Sequence, residues 1–379
     1  MSMRETPMIS KREAPSCTIE SQGSIACGGL SRRGVIAALG AIGASAALSG
    51  APVWAQTGAA ATKRARIDTH LNYYPTAYLG PLEVWWTSNP TRGPLPPFVK
   101  NWTVAHAVEE MDRSDVATGV VSLPIPNARL TPDIENTRTL ARTCNEFGAQ
   151  MVRDHPGRFG LFATLPMPDV DGSLREIDYA LDTLHADGIG MMTSWDSTYP
   201  GDAALVPIFE ELNRRKAVVY FHPMAASCCG NVVPGIGAPY LEYPYDTGRA
   251  ILSRLLSGSF ARFRDTKFIF GHGGGPILLL AGRIENLASH MPDYKQKIPD
   301  GVHGELKRLY YDTADSAFPQ NFAALLSYVP VSQVLFGSDS PYVSIAENVK
   351  NFSALDLSDA ERKAIERGNA LRLFPRLNA

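Results

Sequence analysis

Cysteine is scarce in this chain. Five occur in 379 residues, and none is spaced as CxxC. Cys17 and Cys27 lie in the first part of the chain, which leaves Cys144, Cys228 and Cys229. A disulfide framework and a cysteine-rich zinc site are both excluded. The adjacent Cys228 and Cys229 are expected to line a pocket, because neighbouring cysteines rarely pair without strain. An excess of one charge is also missing. The formal net charge is −2, with 20% charged residues, so nothing argues for a nucleic-acid or polyanion partner. No GxGxxG or Walker A pattern follows any apolar run, which weakens a doubly wound nucleotide-binding sheet. No GxSxG is present, so the run His272-Gly-Gly-Gly275 lacks the nucleophile that a serine esterase needs.

The composition that remains is 45% hydrophobic, enough for a large core. Its first stretch reads as a targeting segment. Ser31-Arg32-Arg33-Gly34 precedes an Ala/Gly-rich apolar run to about Leu48, and Val53 and Ala55 offer small residues for cleavage. The paired arginines resemble a twin-arginine signal. The run is too rich in Gly and Ala to span a membrane comfortably, since spanning takes about 20 strongly apolar residues. Residues 1–56 are therefore expected to be a signal and linker, without a stable anchor, and the mature domain (64–379) periplasmic or secreted.

Apolar strand-like runs then alternate with helical segments. Arg66 to Tyr73 reads as a strand with Asp68, His70 and Asn72 at period two, on one face. Further strands are expected at Thr118–Leu123, Gly160–Leu165, Gly188–Thr193, Ala217–His222, Lys267–Phe270, Leu309–Thr313 and Gln333–Asp339. Helices are expected at 103–113, from Thr131-Pro132 to Asp154, from a capping box Ser173–Glu176 to Ala186, and at 203–215, 246–263, 283–287, 321–328 and 359–373. The stretch from Pro75 to Lys100, rich in Pro, Gly and Trp, reads as a long functional loop. Its Trp85 and Trp86 either line a pocket or cap the core. Eight strands separated by helices imply parallel pairing, and the length matches a TIM (β/α)8 barrel.

In such a barrel the active site lies at the C-terminal strand ends. His70 and Asn72 mark the first strand, His222 the fifth, His272 the sixth and Asp339 the eighth. Imidazole and carboxylate suit zinc and similar divalent ions, so these residues are candidate metal and catalytic groups. Arg249 is a candidate for a bidentate grip on a substrate carboxylate, or else a structural partner of Asp246. Asp68 is either a supporting partner of the site or a buried structural hydrogen bond.

Ile67-Asp-Thr-His70, Phe221-His-Pro223, Gly271-His-Gly-Gly-Gly275 and Leu335-Phe-Gly-Ser-Asp-Ser-Pro341 resemble the amidohydrolase-2 branch of the amidohydrolase superfamily. The likeness runs from about Arg66 to Pro375. Tyr245–Arg249, Lys267–His272 and Leu309–Ala314 look most like its 6-methylsalicylate decarboxylase group. The resemblance implies a metal-dependent, non-oxidative decarboxylase of a small aromatic or muconate-type carboxylic acid, and a homodimer. It implies that His70, the residue two on, His222 and Asp339 hold zinc or manganese. His272 then works beside the metal, and either His272 or Asp339 gives the proton. The chain departs from the pattern at Asn72, where histidine is usual, and an amide oxygen is a weaker ligand for zinc. Two other readings follow from the same residues. One is a metal-dependent hydrolase of a lactone, ester or amide; the other is a secreted binding protein with a dead site.

Overall fold

The computed structural model describes residues 66–89, 92–229 and 232–378. The expected signal segment lies outside the described residues. Eight parallel strands follow one another around a single sheet in sequence order. They are β1 (Arg66–Asn72), β2 (Val116–Ser122), β3 (Phe159–Thr164), β4 (Gly188–Met192), β5 (Val218–His222), β6 (Lys267–Phe270), β7 (Tyr310–Asp312) and β8 (Val334–Leu335). This is the expected TIM-barrel order, with helices between successive strands.

The seam between β8 and β1 is closed by backbone bonds. Thr69 N donates to Phe336 O, Asp339 N to His70 O and Asn72 N to Ser340 O, each at 2.9 Å. The strands run as near-continuous apolar segments because both faces are covered. Their inward residues Ile67, Val120, Phe162, Tyr220, Ile269 and Leu335 form one buried cluster. The C-terminal Phe374 and Leu377 join that cluster, and the Phe374 ring meets Phe162 edge-on at 5.7 Å. One end of the barrel interior is thus filled with hydrocarbon, which leaves the polar strand ends at the other.

Several boundaries differ from the expected ones. Pro75–Lys100 is not a plain loop: it contains helices Thr76–Thr87 and Pro97–Lys100. Gly80 and Pro81 read as breakers, but buried Tyr78 and Leu82 pin the first helix to the core, and tertiary packing overrides propensity. The helix between β2 and β3 is Ile134–Asp154, capped by Asp133, which accepts from Asn136 N. Ser173 does not cap a helix. It lies inside Val170–Asp178, while Glu176 is taken by Asn145 and Arg142. The helix expected from Asp246 begins eight residues earlier, at Ala238, despite Pro239 and Pro244. The segment after Leu335 leaves the ladder, and Asp339 adopts a left-handed φ of 64°. No helix among the described residues is long and apolar enough to cross a membrane.

Candidate active site

His70, Asn72, His222, His272 and Asp339 converge at the C-terminal strand ends. His70 Nε2 lies 3.1 Å from Asp339 Oδ1. His222 Nε2 lies 3.8 Å from the same oxygen, and His272 Nε2 lies 3.8 Å from Asp339 Oδ2. The His70 ring packs edge-on against both other histidines, with centroids 5.1 Å apart in each case.

Two imidazoles are oriented by their far nitrogens. His222 Nδ1 lies 2.9 Å from the Pro223 carbonyl, which can only accept, so Nδ1 carries the proton and Nε2 its lone pair. His70 Nδ1 lies 2.9 Å from Asp312 Oδ2. Asp312 was not among the candidates read from the sequence. It stands at the end of β7, and its Oδ1 also accepts the His272 and Ala314 backbone N–H groups at 2.9 and 3.1 Å. One carboxylate therefore fixes the ring of His70 and the backbone of His272. Gly337 permits the approach, since a Cβ there would stand 2.9 Å from His70 Cβ and 3.0 Å from Asp312 Cβ.

The glycines after His272 have a backbone cause. His272 itself sits at φ 55°, Gly275 sits at φ 61°, and a Cβ at Gly275 would meet the Pro244 carbonyl at 2.1 Å. Left-handed backbone at His272 and Asp339 is the kind of local strain that clusters at functional sites.

The charges are strongly coupled. Burial works against a charged His70, but Asp312 and Asp339 outweigh it and push its pKa up to about 10. Burial would raise Asp339, yet the three histidines hold it well below the usual carboxylate range. Burial lowers His272 to about 4, so it is a neutral imidazole near pH 7. Asp68 is the structural brace of the two readings: it accepts from Ser338 Oγ at 2.5 Å and from the His70 and Ser338 N–H groups at 3.0 Å.

The site's own atoms fit a divalent cation. His70 Nε2 and His222 Nε2 are buried without a hydrogen-bond partner and converge on the Asp339 carboxylate. Ligand atoms of His70, His272 and Asp339 lie within 4.8 Å of one another. Such a set suits zinc or manganese. Asn72, the residue two after His70, keeps its Oδ1 buried without a hydrogen-bond partner. Its Nδ2 donates to Asp339 Oδ1 at 2.8 Å and to Ser340 O at 3.3 Å. These two acceptors turn the amide nitrogen, not its oxygen, to Asp339.

Above the site lies a cavity of about 550 Å3, lined by His222, His272, Asp339, Trp86, Tyr243 and Tyr342 among others. Arg249 is not among its lining residues. Its Nη1 sits 3.7 Å from Asp246 Oδ1 and 3.8 Å from Glu242 Oε2 and makes no hydrogen bond. Cys228 and Cys229 do not line it either; against expectation they are joined to each other. Trp86 takes the pocket-lining role left open by the sequence. A second groove, of about 440 Å3, starts at Lys267 and Tyr310, at the opposite ends of β6 and β7 from the histidines.

Residues 67–376 match the amidohydrolase family model Amidohydro_2. The chain belongs to this family. Among curated proteins it is 34% identical to decarboxylase yanB of Aspergillus niger, over 82% of this chain and 88% of that one. It is 32% identical to 6-methylsalicylic acid decarboxylase of Penicillium expansum, over 83% and 97% respectively. Among solved structures, an amidohydrolase II superposes with a TM-score of 0.75 at 25% identity, covering 82% of this chain and 99% of that one. A 2,6-dihydroxybenzoate decarboxylase bound to 2,6-dihydroxybenzoate shares the fold, with a TM-score of 0.71 at 21% identity over 82% and 99%.

Proposed function

We propose that this chain is a metal-dependent, non-oxidative decarboxylase, a carboxy-lyase acting on a small aromatic, salicylate-like carboxylic acid or a muconate-type acid. The observation that carries the reading is the convergence of His70, His222, His272 and Asp339 beneath a cavity walled by Trp86, Tyr243 and Tyr342. The aromatic decarboxylases among the relatives support it.

His70, His222 and Asp339 are the groups that would hold zinc or manganese. Such an ion supplies Lewis-acid polarisation of the substrate's carboxylate and ortho oxygen. The aromatic walls hold the ring and exclude water. A proton taken up from solvent and relayed through the Asp339–His272 pair, 3.8 Å apart, reaches the ring carbon that bears the carboxylate. The bond to the carboxylate then breaks, its electron pair returns to the ring, and CO2 leaves as aromaticity is restored. Asn72 acts through its hydrogen bond to Asp339.

The twin-arginine-like leader supports export of the folded protein to the periplasm. Exposed Tyr240, Leu241, Tyr245 and Leu279 at the cavity rim support a homodimer, which sedimentation would test. The deciding experiment for the activity measures CO2 release against acid release from a panel of salicylates, muconates, lactones and esters, with and without added zinc or manganese. Metal-dependent CO2 release from an aromatic acid is expected. Acid release from a lactone or ester alone would replace this reading with the hydrolase. No bound metal and no turnover of any panel member would leave a binding protein.

A further inference from the structure

Arg92 follows the helix whose Trp86 lines the cavity. Its guanidinium carbon lies 3.9 Å from the centroid of the Trp85 ring and 5.5 Å from that of Trp86. The residue is half-buried. Among the described residues no carboxylate pairs with it. Arg92, Trp86 and Tyr243 line a side cavity of about 320 Å3. That cavity shares Trp86, Ile125, Pro239 and Tyr243 with the space above Asp339, so the two adjoin across these side chains. Trp86 Nε1 is a buried donor with no partner. Burial keeps the Tyr243 phenol protonated, up to about 12, so its hydroxyl is a donor as well. Three donors thus gather at this side cavity.

We propose that Arg92, with Trp86 Nε1 and the Tyr243 hydroxyl, forms an anion-recognition subsite for a second carboxylate of the substrate. That carboxylate is one the substrate keeps after CO2 has left. The inference rests on the decarboxylase reading. The departing carboxylate becomes neutral CO2, and a guanidinium paired with it would stabilise the ground state more than the transition state. The groups that face the reacting carbon, His272 and Asp339, line the main cavity but not the side cavity. A planar guanidinium fixed over indole faces and partly withdrawn from water suits bidentate carboxylate recognition. The preferred substrate is then an aromatic dicarboxylate with an ortho hydroxyl, which sets it apart from a methylsalicylate.

The test uses the full-length protein and two pairs of probes. The substrates are 4-hydroxybenzene-1,3-dicarboxylate and 2-hydroxybenzoate; their products are 4-hydroxybenzoate and phenol. Binding is read from quenching of tryptophan fluorescence, which needs no turnover. The dicarboxylate and 4-hydroxybenzoate should bind the wild type about 10- to 100-fold more tightly than their partners, the range of a charged hydrogen-bonded pair. Arg92→Met should abolish that advantage while leaving phenol binding unchanged, and Arg92→Lys should keep part of it. In turnover, Arg92→Met should raise KM for the dicarboxylate and leave kcat within about 3-fold, as loss of uniform binding does. An unchanged preference in Arg92→Met would overturn the subsite, and so would an equal loss for both members of a pair. Arg92-dependent binding of the dicarboxylate without CO2 release from any probe would keep the subsite and sink the decarboxylase reading.

Discussion

Asp312→Asn separates orientation of the metal site from stability of the barrel. The wild-type carboxylate makes three hydrogen bonds, to the His272 and Ala314 backbone N–H groups through Oδ1 and to His70 Nδ1 through Oδ2. The amide keeps an oxygen for the two backbone donors. Its nitrogen then faces His70 Nδ1, donor against donor. In the wild type, His70 gives up its Nε2 proton to a cation and keeps Nδ1–H on Asp312; in the variant the neutral ring places its one proton on Nε2 and turns the Nδ1 lone pair to the amide, which leaves no lone pair for a cation beside Asp339. Each hydrogen bond still has a partner after the shift, so the stability cost is bounded at about 1–3 kcal/mol. For a domain of this size that is a Tm drop of at most about 10 °C. Metal affinity has no such compensation and should fall about 10- to 100-fold, the usual effect of losing the partner that orients a ligating histidine. Calorimetric titration with zinc and manganese, paired with a thermal melt of the metal-free protein, reads both quantities. A variant that binds metal as tightly as the wild type would refute the reasoning, whatever its Tm.

His222→Ala should abolish metal-dependent CO2 release while circular dichroism stays unchanged, because the side chain makes only the one hydrogen bond to Pro223 O. Full activity in that variant would remove His222 from the site. Asp339→Asn should also be inactive, since it discharges the group on which all three histidines converge. Asn72→His should preserve or raise metal affinity, and a loss in the same titration would show that the amide donor to Asp339 matters more than a further imidazole. Arg249→Met should change KM by less than about 2-fold, because its contacts are Glu242 and Asp246 rather than the cavity. A large rise in KM would restore it as the carboxylate grip.

The barrel was legible because its strands are short apolar runs parted by helical segments, and that alternation survives errors of several residues at each boundary. Four of the site's side chains were legible because histidine and aspartate stand out at strand ends. Asp312 did not stand out: it ends a strand of three residues, and its role lies in a contact with His70, 242 positions away. Arg92 was hidden in a stretch whose Pro and Gly suggested a loop, although Trp86 in its helix faces the cavity. Arg249 attracted notice through a local motif, and only the placement of Asp246 and Glu242 showed where its charge goes. The direction in which the Asn72 amide points depends on Asp339 and Ser340, so composition and period carry no trace of it.

The seam between the first and last strands gives the site a property of its own. His70 and Asn72 come from β1, Asp339 and Ser340 from the chain just past β8, and backbone bonds between these two segments fasten the ring. The candidate ligand set therefore depends on closure of the ring, with His70 on one side of the joint and Asp339 on the other. A cation seated there would work as a rivet across the joint, and its uptake would report that the molecule is finished. A polypeptide halted one strand short would hold most of the core and bind nothing.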